Sequence, residues 1–254
     1  MFYPKVKFSN ISPEIEQRWI FGFLFYNKWG WEKRILKHHP ELKNLFAMKK
    51  EKDRKIALKK YIRDFKIKNK EEIKQRVDIF KKEWRNIEKL YLSVLSQIIE
   101  TDWPENRKNI KALISINPIC PRFLDDWSFS LFYDLDTKNL LETIMHEICH
   151  FLYFKKWKEV FPDAQRKTFD YPYIEWHLSE ILAPIILKDE RIQKFLKKKP
   201  FFYDEHKDLK IDGIKIPEYF LNLYKEHLKI KTSFSDFLKV SHSVIRKNSG
   251  LFKF

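Results

Sequence analysis

Apolar side chains recur every three to four residues over most of this chain, so helices are the main element that the pattern predicts. Ser12-Pro13-Glu14 reads as a cap followed by proline at the first helical position, opening a helix through about Lys37. Its aromatic members Trp19, Phe23, Tyr26 and Trp31 fall on one helical face and are expected to pack in the core. His38-His39-Pro40 ends that helix, and the two histidines, adjacent at a helix end, are poorly arranged to share a metal. Two further helices are expected at about 41–66 and 70–100, the second with the stripe Ile73, Val77, Phe80, Trp84, Ile87, Tyr91 and Leu95.

Strand patterns are fewer. Tyr3 to Phe8 alternates weakly, and Ala112 to Asn117 has strand character until Pro118 and Pro121 interrupt it. Trp127 to Asp134 alternates cleanly, with Trp127, Phe129, Leu131 and Tyr133 on one side, which predicts a half-exposed strand. Asp134-Leu135-Asp136-Thr137 then supplies helix-start chemistry ahead of Leu140 to Trp157, whose buried stripe is Leu141, Ile144, Met145, Ile148 and Leu152. Pro162 closes that region, and Tyr171-Pro172-Tyr173 leads into a helix from Ile174 to about Leu187. Beyond it come a break at Lys197 to Pro200, a turn at Asp212-Gly213, a helix over Pro217 to Leu228, and a last helix from Ser235 to Arg246 capped by Ser235.

Only four glycines and no linker-like tract occur in 254 residues, so one unit over 1–254 is expected, with helical regions at 1–110 and 188–254 around a core at 111–187. The formal charge of +16 is uneven: +12 over residues 1–110, −3 over 111–187 and +7 over 188–254. The basic flanks allow weak nonspecific contact with nucleic acid or an anionic surface, or amount to a lysine-rich solvated exterior. Two cysteines, Cys120 and Cys149, are too few for a disulfide framework and fit a reduced, cytoplasmic compartment. The apolar run Trp19 to Tyr26 is too short for a membrane span and lacks a signal peptide's cationic start.

Chemistry concentrates at His146-Glu147-Ile148-Cys149-His150, an H-E-x-x-H pattern on an expected helix. Positions four apart lie nearly above one another, so the imidazoles of His146 and His150 can grip one metal ion with Glu147 beside them as general base. Catalytic zinc takes three protein ligands and leaves a fourth position for water, so a third donor must come from elsewhere. Glu175 and Glu180 on the next helix are the nearest carboxylates, and their spacing of five points them in different directions. Glu180 is favoured because Ala183, one turn on, allows close helix approach and Pro184 cannot donate to the Glu180 carbonyl; Glu175 is the alternative. His177 is either a ligand, a donor to the reaction centre or a packed histidine, and Tyr171, Tyr173 and His227 are candidates to steady an oxyanion.

His146-Glu147-Ile148-Cys149-His150 with the downstream helical Glu180-Ile181-Leu182-Ala183 resembles the gluzincin branch of zinc metallopeptidases, without matching a specific family in it. The resemblance implies an α+β, mainly helical fold with a zincin-like core: a small sheet, an active-site helix and a glutamate helix. It also implies one catalytic Zn2+ ion, a peptide or protein substrate, and an edge strand, here Trp127 to Asp134, that binds the substrate extended. It covers about 111–187, leaving both flanks unmatched. Twenty-nine residues separate His150 from Glu180, more than in the best-known members, and Pro184 stands where some members carry an aspartate behind the first histidine. The runner-up reading is a basic nucleic-acid or anionic-surface binding protein with a structural or vestigial zinc site.

Overall fold

The structure is a computed structural model in which residues 2–26 and 30–252 are described. It is mainly helical with a small mixed sheet. Contacts divide the chain into two compact units assembled from separated stretches, Lys5–Asn86 with Asn109–Ile144, and Met1–Pro4 with Ile87–Lys108 and Met145–Phe254.

The first unit is built on four strands: β1 (Lys5–Asn10), β2 (Asn109–Ser115), β3 (Arg122–Phe123) and β4 (Ser128–Phe132). Their order is β1-β2-β4-β3, with β1, β2 and β4 parallel and β3 antiparallel to β4. β1 lies two residues later than its alternation suggests, because its ladder with β2 runs on to Asn10 opposite Ile114.

The expected half-exposed edge strand is a correction. β4 is flanked on both sides, and all five of its residues are buried. Its polar positions are serines, Ser128 and Ser130, small enough to be covered, and the chain after Pro121 returns to place Arg122 opposite Phe129.

Helices α1 (Pro13–Phe25), α2 (Trp31–His38), α3 (Glu51–Lys68) and α4 (Lys70–Arg85), with a 3-10 turn at Pro40–Ala47, complete this unit. Ser12 caps α1 by accepting from the Ile15 amide, with Pro13 in the first turn. The single helix expected through Lys37 is two, α2 starting from Gly30 at φ 69°; residues 27–29, within that expectation, lie outside the described residues. Nor does the aromatic stripe form the core face. Glu16, Ile20, Phe21 and Leu24 are buried, whereas Tyr26 is exposed and Trp19 and Phe23 are half-covered, Trp19 stacking on Phe123 at 4.1 Å.

Glu16 is the polar anchor of this unit. Its carboxylate accepts from Ser115 Oγ and the Ile116 amide, each at 2.8 Å, and pairs with Lys66 at 2.5 Å, tying α1 and α3 to the end of β2. Nearby, the His39 ring meets the Ile116 carbonyl through Nε2 at 2.7 Å and Tyr61 through Nδ1 at 2.9 Å.

The stretch expected as one helix over 70–100 breaks after Arg85, and its second half is α5 (Glu88–Ile99), in the other unit. α6 is continuous over Thr137–Val160, and Asp136 caps it by accepting from the Asn139 amide at 2.8 Å. α7 (Ile174–Ile186) is buried from Trp176 to its end, as suits a helix apolar nearly all round. Short helices α8 (Glu190–Gln193) and α9 (Asp204–Lys207) lead to a hairpin, β5 (Lys210–Ile211) and β6 (Ile214–Lys215), whose turn residues Asp212 and Gly213 both have positive φ.

α10 (Ile216–Ile230) and α11 (Phe234–Lys247) follow. The cap of α11 is Ser233, whose Oγ accepts from the Asp236 amide, and not Ser235, which lies inside the helix. Among the described residues no helix is long and apolar enough to cross a membrane.

Candidate metal centre

α6 carries His146, Glu147 and His150, and α7 carries Glu180. The helical repeat sets the two imidazoles about 40° apart around the α6 axis and Glu147 about 100° from His146. The structure brings His146 Nε2 to 3.0 Å from His150 Nε2 and 3.1 Å from Glu180 Oε2, with His150 Nε2 and Glu180 Oε2 3.5 Å apart. Two ring nitrogens and one carboxylate oxygen thus converge on one point, and all three side chains are buried. His150 is 0% and Glu180 1% exposed, against 8% for both His146 and Glu147, so solvent reaches the cluster from the His146 and Glu147 side.

The donor set fits a metal ion on its own chemistry. Two neutral imidazoles and a carboxylate form a nitrogen-rich set suited to a divalent first-row ion, and zinc sites with an open position are built this way. The structure places the three donor atoms within 4.8 Å of one another.

The surroundings hold these donors in place. The Tyr91 hydroxyl of α5 donates to the Met145 carbonyl, one residue before His146, and burial keeps that phenol's pKa well above the ordinary value. Phe154, one turn beyond His150, stacks on that ring and on Phe169 at 4.4 Å. α7 passes Glu180 with no amide from Pro184 to meet its carbonyl, and Ala183 next to it is small and buried.

Glu175 points elsewhere. Its carboxylate lies 3.8 Å from His242 Nε2 on α11; burial, the largest single influence, pushes its pKa up, but His242, its own backbone amide and Arg246 together outweigh this and the net shift is downward. His177 is not in the converging set. Its Nδ1 lies 2.9 Å from Nε2 of His206, and both rings are buried.

Burial brings His177 down to about 3, helped by His206, and takes His206 down to about 4; Glu180 opposes both shifts. Glu180 therefore has a neutral imidazole pair in its field. His206 was not among the candidates from sequence: it stands on a four-residue helix 29 positions from His177, and no spacing rule connects them.

Of the other candidates, Tyr171 is partly exposed with its ring edge toward Trp176 and His177, and Tyr173 is exposed at the start of α7. His227 sits at the end of α10, its Nδ1 2.8 Å from Thr232 Oγ1 and its ring stacked on Phe237; neither of these partners belongs to the converging set.

Comparison with family models, with curated proteins and with solved structures finds no match to this chain.

Proposed function

We propose that the protein is a zinc-dependent peptidase, hydrolysing peptide bonds in a peptide or an unfolded protein segment. The observation that carries the reading is the convergence of His146, His150 and Glu180 from two helices, with Glu147 on the adjacent, partly open face of α6. A bound zinc ion would supply a water acidified toward neutrality and a Lewis acid for the scissile carbonyl.

The chain's own residues account for the rest. His146, His150 and Glu180 would hold the ion, and the buried imidazoles of His177 and His206, neutral at pH 7, would add no positive charge to compete with it. The Glu147 carboxylate, one residue along α6 from His146, would take the proton from the attacking water and pass it to the leaving amine.

The test is to load the purified protein with zinc, measure metal content, and follow cleavage of a labelled unfolded protein. Wild type should hold about one zinc and cleave; Glu147→Ala should hold the same zinc with hydrolysis lowered by about 100-fold or more, the scale of a lost general base. A metal-replete preparation without bound metal would sink the reading.

The near-complete burial of His150 and Glu180 favours one second reading, a structural ion in a protein whose basic flanks bind an anionic surface. In that case zinc removal unfolds the protein, binding to generic nucleic acid falls steeply with salt, and Glu147→Ala leaves that binding unchanged.

A further inference from the structure

The unit built on β1, β2 and β4 contains a groove of about 620 Å3, within the usual range for small-molecule sites. It opens where three parallel strands end together: Asn10 ends β1 and Ile11 follows it, Ser115 ends β2 and Ile116 follows it, and Tyr133 follows β4. In sheets of this kind, ligands settle outside the carboxyl ends of the strands.

The opposite wall comes from α4. Lys70, Ile73, Lys74, Val77 and Lys81 follow the three-and-four spacing of one helical face and all line the groove. Ile73 and Val77 are half-buried and, with Ile11 and Ile114, give an apolar floor, while the lysines stand exposed above it.

Their charges are not equally committed. Lys66, also in the wall, is paired with Glu16, and Lys81 lies 3.6 Å from Asp78. Lys70 and Lys74 have no ion pair among the described residues. No arginine or glycine lines the groove, so the bidentate fork and backbone cradle that grip phosphate are missing from its described lining. Two ammonium groups over an apolar floor match a small anionic head on an apolar body.

We propose that this groove binds a small carboxylate with an apolar body, its head at Lys70 and Lys74 and its body over Ile73 and Val77. Such a molecule has two natural sources, a free alkyl carboxylate and the C-terminal end of an apolar peptide. The full-length protein should be titrated calorimetrically with decanoate, with N-acetyl-leucyl-phenylalanine and with neutral decanol.

One of the two carboxylates should bind near 1:1 with a Kd on the order of 10 µM, and the better of them identifies the source. Decanol should bind at least about tenfold more weakly, and Lys70→Met/Lys74→Met should weaken the carboxylate by a similar factor. Val77→Asp, at a half-buried position of the floor, should abolish binding with the circular dichroism spectrum unchanged. Failure of both carboxylates to bind at millimolar concentration overturns the proposal. So does unchanged binding in the double lysine variant, the result expected if the carboxylate coordinated a metal at His146, His150 and Glu180 instead.

Discussion

His177 Nδ1 and His206 Nε2 lie 2.9 Å apart in the interior, two imidazoles each held neutral by burial in the field of Glu180. One ring must donate and the other accept, so the bond is lost when both rings are protonated and both can only donate. Their folded pKa values, about 3 and about 4, lie below the ordinary 6.5, so the unfolded chain binds more protons between those values. Stability from this pair is complete above pH 6.5 and is lost as pH falls toward 4. The unfolding free energy from urea melts should rise between pH 4 and 6 by up to about 2.7 kcal/mol per pH unit, two protons' worth. His177→Leu/His206→Leu should flatten that slope; an equal slope in wild type and variant would refute it.

Glu180 and Glu175 are separated by their partners, one facing two imidazoles and the other His242. Glu180→Ala should weaken zinc binding by more than about 100-fold, beyond the loss that follows from removing an outer hydrogen-bond partner. Glu175→Ala should keep full zinc content. Elemental analysis of both variants beside wild type reads this directly, and equal zinc in the two would refute the assignment.

Glu16 is fully buried and meets Ser115, the Ile116 amide and Lys66 at once. Glu16→Ala leaves a cation and two donors without their acceptor and should cost about 3–5 kcal/mol, the scale of breaking a buried pair. Glu16→Gln keeps one acceptor for the amide and should cost less. Denaturant unfolding ranks the two, and an alanine variant as stable as the glutamine one would contradict this account.

At the start of α11 the two serines have different roles, since only Ser233 accepts from the Asp236 amide. Ser233→Ala should lower stability by about 1 kcal/mol and Ser235→Ala by a few tenths at most. The reverse order in thermal melts would move the cap to Ser235.

What could be read from sequence was local. The α6 start at Asp136, the stacking of His146 over His150, and a nearby glutamate followed by a small residue are set by spacing within one or two turns. What could not be read depends on partners far along the chain. Serines on β4 look solvent-facing until Arg122 and Phe123 return to cover that edge. The aromatic stripe of α1 looks like a core face until burial selects Ile20, Phe21 and Leu24 in its place. Helix breaks at Gly30 and after Arg85 interrupt patterns that stay periodic across them, and the partner of His177 comes from a helix too short to leave a period.

Tyr91 gives the cluster a built-in gauge. Its hydroxyl proton rests on the Met145 carbonyl, at the turn of α6 that delivers His146, and the side chain is 0% exposed. That proton can trade for deuterium only when the turn lets go of α5, so its exchange lifetime clocks how often the first histidine is released. A bound metal ion, by holding the α6 turn that carries His146, should lengthen that lifetime.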